Sequence, residues 1–317
     1  MIVIQIFQLE KMYYKEKNMK KYLIVILILA CLVGVIFLPR SQKSTEEVIF
    51  RIEKGQGSRE IAAALQKEGL IWWSPLFQVY VLASGKFGGL QAGTYLLSPS
   101  MNIPKIAEKI ASGDIAKEKI TIIEGWNLKD IGFYFENKGM FQAEELYDER
   151  KEIEGYFFPD TYEIKVGESL DKIIQRAVDN FNTKTAGLEI TPQIVIMASL
   201  IEKEVKTPED KRLVSGILWK RLRAGIPLQV DATITYITGK KTTKIPPEDL
   251  RIDSPYNTYK YYGLPPGPIC NPGLESIKAA LNPQDSQFWY YLSIPEGKTI
   301  FSKTLDEHNI AKAKYLK

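Results

Sequence analysis

The feature that most constrains this chain is an apolar run near its beginning, YLIVILILACLVGVIFL at residues 22–38, which carries no charge over 17 positions. As an α-helix it extends about 25 Å at ~1.5 Å per residue, the short end of what crosses a bilayer. Lys11, Lys15, Lys17, Lys20 and Lys21 precede it, and only Arg40 and Lys43 follow closely. Basic residues gather on the cytoplasmic side of a span. The asymmetry predicts a cytoplasmic N-terminal tail at 1–21, a transmembrane helix at 22–38 and an extracytoplasmic remainder, a single-pass protein of the cell (inner or cytoplasmic) membrane. A cleaved signal fits less well, because the run ends in Leu-Pro without a small-x-small pattern. Were translation to start at Met19, Cys31 would stand where a lipoprotein is acylated, although Ile28 and Leu29 suit that signal poorly.

The net charge of +4 belongs to that tail, where five lysines against Glu10 and Glu16 give +3 and leave +1 for the rest. No broad basic surface for nucleic acid follows. Two cysteines, Cys31 and Cys270, are too few for a disulfide framework or a CxxC zinc site, and one histidine, His308, argues against a histidine metal centre or a Ser-His-Asp triad. Neither a metal nor a cofactor is expected. Chemistry falls to carboxylates, and Cys270 reads as a buried free thiol.

After a polar stretch at 41–47, VIFRIEKGQG alternates as a strand. SREIAAALQKEGLI and SPLFQVYVLASG have helical spacing, with Ser58 and Ser74 as caps, and AGTYLLSPS returns as a strand. This β-α-α-β order continues through a helix from Ile103, the strand KITIIEG and a helix in NLKDIGFYFENKG capped by Asn127, making 47–140 a small α+β domain. A second, mixed α/β domain at 150–317 opens with EGYFFPDTYEI and three helices. Residues 226–273 are rich in Pro, Gly, Tyr, Thr and Asn and read as a long functional loop. A helix, a closing hairpin (FWYYLSI, KTIFS) and a terminal helix follow. The fold class expected is α+β.

Glu202 and Glu204 stand about 200° apart on their helix at ~100° per residue, so packing turns one carboxylate inward and leaves the other in water. Glu202 lies over Val195, Ala198 and Ser199, small residues that leave room beside it. The plain alternative is a solvated i,i+4 pair with Lys206. A general acid needs an apolar setting, which raises a glutamate from about 4.3 to roughly 6 or 7 and lets it hold a proton at neutral pH.

Five segments in this order, EGYFFPDTY (154–162), ASLIEKEV (198–205), LQVDATITY (228–236), SPYNTY (254–259) and GLPPGPICNPG (263–273), resemble the endolytic murein transglycosylase family, MltG or YceG-like; EGWNLKDI (124–131) does so too. The resemblance covers roughly residues 47–317. It implies a LysM-like first domain, a catalytic second domain, and Glu202, the first Glu of IEKE, as the catalytic residue. Glu202 would protonate the glycosidic oxygen between MurNAc and GlcNAc inside a nascent peptidoglycan strand. It would then take the proton of the muramyl 6-hydroxyl, which closes to a 1,6-anhydro end. That intramolecular attack needs neither water nor a second carboxylate. The resemblance further implies termination of glycan elongation, with glycan strands and the proteins of a wall-synthesis complex as partners. Asp160, Tyr162, Gln229, Asp231, Tyr256 and Asn257 are the substrate-binding candidates. Each has a structural alternative: a turn cap for Asp160, core packing for Tyr162, loop structure for the others. One departure is the spacing of about 22 residues between EGWNLKDI and EGYFFPDTY, short for the family. Two other functions stay open. One is a membrane-anchored wall-binding or assembly protein with Glu202 solvated and replaceable; the other is a sugar hydrolase, with Asp160, Glu163 or Asp231 as a second carboxylate ~5–10 Å away.

Overall fold

The computed structural model describes residues 19–24, 27, 30, 31, 33–42, 46–240, 245–294 and 297–315. The tail at 1–18 lies outside the described residues, as does part of the apolar run at 22–38. Among the described residues no helix is long and apolar enough to cross a membrane. The chain divides into two compact units, one reaching Glu118 with Lys165–Gly167 added, the other formed by Lys119–Ile164 and the chain from Glu168 onward.

The first unit contains β1 (Val48–Ile52), α1 (Ser58–Lys67), α2 (Ser74–Ala83), β2 (Gly93–Leu97) and α3 (Ile103–Ser112). β1 and β2 pair antiparallel with Phe50 opposite Tyr95, giving the β-α-α-β order read from the sequence. Alternation sends Phe50 and Ile52 to one face, where Ile61 and Leu65 of α1, Phe77 and Val81 of α2 and Ile106 and Ile110 of α3 bury against them. Each such side chain contributes roughly 1.5–3 kcal/mol by leaving water. The caps shift by one residue from expectation: Gly57 precedes α1 and its N–H donates to Glu60 at 3.1 Å, while Trp73 precedes α2.

The second unit takes most of β3 (Lys117–Thr121) and β4 (Thr161–Lys165), which pair, and then α4 (Leu128–Asn137), α5 (Glu144–Tyr147), α6 (Leu170–Lys184), α7 (Pro192–Glu204), α8 (Pro208–Arg223), α9 (Asp231–Thr238), α10 (Leu274–Leu281), the hairpin β5 (Tyr290–Ser293) with β6 (Thr299–Ser302), and α11 (Leu305–Tyr315). One core forms where Leu128, Ile131 and Phe135 of α4 meet Phe157, Tyr162 and Ile173. That packing assigns the EGWNLKDI helix to the second unit, not to a first domain ending at 140. A second core surrounds α7, whose Val195, Met197, Leu200 and Ile201 lie against Val214 and Leu218 of α8 and Ile277 and Ala280 of α10. α8 comes so close to the turn after α10 that a Cβ on Gly216 would stand 1.9 Å from the Gln284 carbonyl oxygen. The stretch 226–273 is not all loop, for α9 forms within it. Its β-branched sequence DATITYIT has weak helical propensity, and burial of Ala232, Thr233 and Ile234 supplies what propensity lacks.

Candidate active site

Thr191 caps α7 by accepting the Ile194 N–H, Pro192 opens its first turn, and residues 195–201 are all buried. A helix with so apolar a body carries its next residue, Glu202, into the interior. The carboxylate accepts from Lys211 Nζ at 3.2 and 3.3 Å, from the Gly273 N–H at 2.9 Å and from Ser276 Oγ at 2.7 Å. Glu202 and Lys211 side chains are 9% and 5% exposed. The shell is therefore polar and cationic, not the apolar one expected, and the cation comes from α8. Gly273 caps α10 and Ser276 lies in its first turn, so the helix N-terminus also faces the carboxylate.

Glu124 stands next to this pair. A Cβ on Gly273 would meet Glu124 Oε1 at 2.0 Å, and one on Gly125 would lie 3.6 Å from Glu202 Cγ. The Glu124 side chain thus occupies space that only glycine at 273 leaves free. Partial burial, then the Glu202 charge and, less strongly, Glu275, push the Glu124 carboxyl above the usual glutamate range, with Lys211 acting the other way. Asn271 braces the same region. Its Oδ1 accepts the N–H groups of Gly155 (2.9 Å) and Phe157 (3.0 Å), and its Nδ2 donates to Trp126 O and to Glu154 Oε1. Glu154 also accepts the Leu128 N–H at the start of α4, and burial raises its pKa to about 8. Four of the sequence motifs, EGWNLKDI, EGYFFPDTY, ASLIEKEV and GLPPGPICNPG, converge here.

Glu204 is only partly exposed, where the 200° argument requires a carboxylate in water. Burial, with the Asp231 charge nearby, raises its carboxyl to about 7, while the nearby Ala232 N–H and Tyr291 hydroxyl act the other way. The end of α7 is covered on two sides, by α10 and α8 at Glu202 and by α9 and β5 at Glu204, so both glutamates find partners inside.

Of the six substrate-binding candidates, Tyr256 lines a cavity of about 890 Å³ together with Tyr156, Tyr236, Pro266 and Glu154. Glu202 is not among the residues that line it. Tyr236 and Tyr256 rings lie 5.0 Å apart. Asn257 is fully buried, its amide donating to the Leu250 and Ile252 carbonyls. Asp160 accepts from Asn180 and the Thr161 N–H, bonds that with Lys184 hold its carboxyl below the usual range. Tyr162 is buried and its hydroxyl donates to Phe158 O. Gln229 adopts φ 54°, the one left-handed non-glycine among the described residues, and accepts from Arg221 at 2.6 Å. Asp231 accepts from the Tyr259 hydroxyl. These five side chains are engaged within the protein. Cys270 is free and buried, as read from the sequence, and His308 is buried against Tyr290 without a place in the site.

Sequence reasoning passed over Lys211, Ser276, Asn271, Glu124 and Glu154. Lys211 carried a legible signal, since it shares the i, i+3, i+4, i+7 face of Val214, Ser215 and Leu218, a buried stripe in which a lysine needs an anion.

Two small α+β units, the second holding a carboxylate bound to a buried lysine and backed by two further carboxyls, define a protein whose ionisable centre is built from carboxyl and amine groups. The chain belongs to the YceG-like family, whose model matches residues 50–314. An endolytic murein transglycosylase of Bacillus subtilis (strain 168) is 34% identical over 315 residues, 88% of this chain and 87% of that protein. An endolytic murein transglycosylase of Streptococcus pneumoniae serotype 2 is 29% identical, and the match spans 86% of this chain but 59% of the relative. The crystal structure of a YceG-like protein from Listeria monocytogenes is 30% identical with a TM-score of 0.55, covering 84% of this chain and 99% of that one.

Proposed function

We propose that this chain is a lytic transglycosylase that cuts MurNAc–GlcNAc bonds within peptidoglycan strands and leaves 1,6-anhydro-MurNAc ends, with Glu202 as its catalytic residue. The activity named for the Bacillus relative, matched over most of both chains, supports the reaction. For the residue, the observation that carries the reading is the Glu202 carboxylate itself, fixed by Lys211, Gly273 and Ser276 at the end of a buried helix where side-chain freedom is small. In its simplest form Glu202 handles both protons: one goes to the leaving oxygen, and the other is taken from the 6-hydroxyl as O6 closes on C1. The tyrosines of the 890 Å³ cavity offer flat faces for sugar rings, Tyr256 among them.

The finer parts of the reading are an N-terminal membrane anchor at 22–38 with an extracytoplasmic catalytic unit, a LysM-like first unit that holds glycan, and a role in terminating strand elongation beside wall-synthesis proteins. The test is mass spectrometry of fragments released from purified peptidoglycan by the full-length chain and by Glu202→Gln. Internal fragments with 1,6-anhydro ends from the wild type alone are expected. Reducing ends would mean hydrolysis, and binding without release would leave a wall-binding protein.

A further inference from the structure

A single glutamate serving as acid first and base second must begin protonated. Glu202 Oε2 is filled by the Gly273 N–H, the Ser276 hydroxyl and Lys211, and Oε1 faces the same ammonium at 3.2 Å. Three donors on Oε2 and an ammonium beside Oε1 suit an acceptor, and Oε1, bonded to Lys211 alone, keeps one lone pair for an incoming proton. Glu124 differs. It is exposed to solvent, it lies against Gly273, and no ammonium is bonded to it in the structure's ion pairs among the described residues.

Resting on the transglycosylase reading, we infer that Glu124 is a second catalytic residue, donating the proton to the leaving glycosidic oxygen while Glu202 serves as base on the muramyl 6-hydroxyl. The product's stereochemistry suits two adjacent carboxyls. In a 1,6-anhydro sugar the new O6–C1 bond occupies the face from which the β-linked oxygen departed, so both proton transfers happen on one side of the ring. The C1–O bond breaks with its electron pair moving to the leaving oxygen, which takes the Glu124 proton. An O6 lone pair forms the O6–C1 bond, and the O6 proton passes to Glu202. Turnover leaves Glu202 protonated and Glu124 ionised, and transfer of one proton between them through solvent restores the start. No water is consumed. Partial burial at the Gly273 side and the Glu202 charge hold the Glu124 proton more tightly than an isolated glutamate would, although the residue as a whole is exposed.

The test compares Glu124→Gln and Glu202→Gln in the full-length chain on two substrates: peptidoglycan strands, and a muramyl oligosaccharide with a 4-nitrophenyl group at the scissile position. Nitrophenolate leaves without a proton, so loss of an acid is masked there and loss of a base is not. Glu124→Gln is expected to lose 10²-fold or more, roughly the worth of general acid catalysis, on strands but less than about 10-fold on the nitrophenyl substrate. Glu202→Gln loses activity on both. Glu124→Gln also loses the alkaline limb of the kcat/KM profile; the ionisable groups facing Glu124 are Glu202, Lys211 and Glu275. Unfolding midpoints within about 2 °C of wild type establish that the fold is intact. Strand cleavage by Glu124→Gln within about threefold of wild type, or equal losses of that variant on both substrates, overturns the inference while Glu202 stands. Absence of 1,6-anhydro products from the wild type overturns the transglycosylase reading itself.

Discussion

Replacing Lys211 with methionine keeps most of the apolar stem and deletes the ammonium, which isolates what the charge does. The Glu202 and Lys211 side chains are 9% and 5% exposed, and the ammonium sits 3.2 Å from one carboxylate oxygen. Without it, Glu202 keeps only the Gly273 N–H and Ser276 Oγ. Stripping one partner from a buried pair costs about 3–5 kcal/mol, because the other charge stays desolvated. The facing N-terminus of α10 offsets about 1 kcal/mol of this, leaving a net loss of roughly 2–4. At a urea m-value of about 2 kcal/mol/M the midpoint falls by about 1–2 M. Glu202→Gln alone strands the lysine instead, whereas Lys211→Met with Glu202→Gln removes both charges and recovers at least ~2 kcal/mol relative to additivity. The cycle is read by urea denaturation monitored by circular dichroism. A loss below ~1 kcal/mol in Lys211→Met, or strict additivity in the double variant, would refute the idea that this is a desolvated, mutually dependent pair.

Three further outcomes follow from particular contacts. Gly273→Ala directs a Cβ to within 2.0 Å of Glu124 Oε1; because Glu124 is an exposed, flexible side chain, stability should change by less than about 1 kcal/mol while strand cleavage drops 10-fold or more, and an active variant would dissociate the Glu124 position from catalysis. Gly216→Ala meets the backbone oxygen of Gln284 at 1.9 Å, which cannot swing aside, so a loss of about 3 kcal/mol or failure to fold is expected in a thermal melt. Glu154 gives a pH effect of definite sign. Its folded pKa of about 8 exceeds the ordinary 4.5, so its contribution is full below the lower value and is lost as pH rises towards the upper one, by up to about 1.4 kcal/mol per unit. The difference in stability between wild type and Glu154→Gln should therefore shift steadily against the wild type from pH 5 to 8, and a difference independent of pH would contradict it.

What was legible in the sequence is what local periodicity and capping encode. The β-α-α-β unit, the amphipathic α6, the Thr191-Pro192 start of α7 and the β5–β6 hairpin all announce themselves by spacing. α9 did not, because threonines and isoleucines give no helical signal until Thr233 and Ile234 are buried. The first domain's end was misplaced for a similar reason: α4 has a clear cap at Asn127, but nothing local says that Phe135 will pack on Phe157 and not on the strands before it. The site shows the same limit more sharply. Glu202 is singled out by motif, yet its shell comes from residues 211, 273 and 276, and only the packing of α8 and α10 on α7 brings those together.

That shell also separates two glutamates that the sequence could only call alternatives. Both Glu202 and Glu204 enter the protein, so burial alone cannot decide between them. Glu202 meets an ammonium, a helix N-terminus and a hydroxyl, and its neighbour across Gly273 is an exposed carboxyl. Glu204 lies near the Tyr291 hydroxyl, the Ala232 N–H and the charge of Asp231, groups of β5 and α9. The Ser293 hydroxyl closes the same junction by donating to the Glu204 carbonyl at 2.8 Å. A catalytic carboxylate has to face a position that a substrate atom can reach, with a second group ready to balance its proton. Glu202 has an exposed carboxyl beside it in Glu124, whereas the groups around the Glu204 carboxyl belong to α9 and β5. One glutamate therefore faces α9 and β5 at the helix end, while the other, two residues before it, is the one for which a catalytic role is proposed.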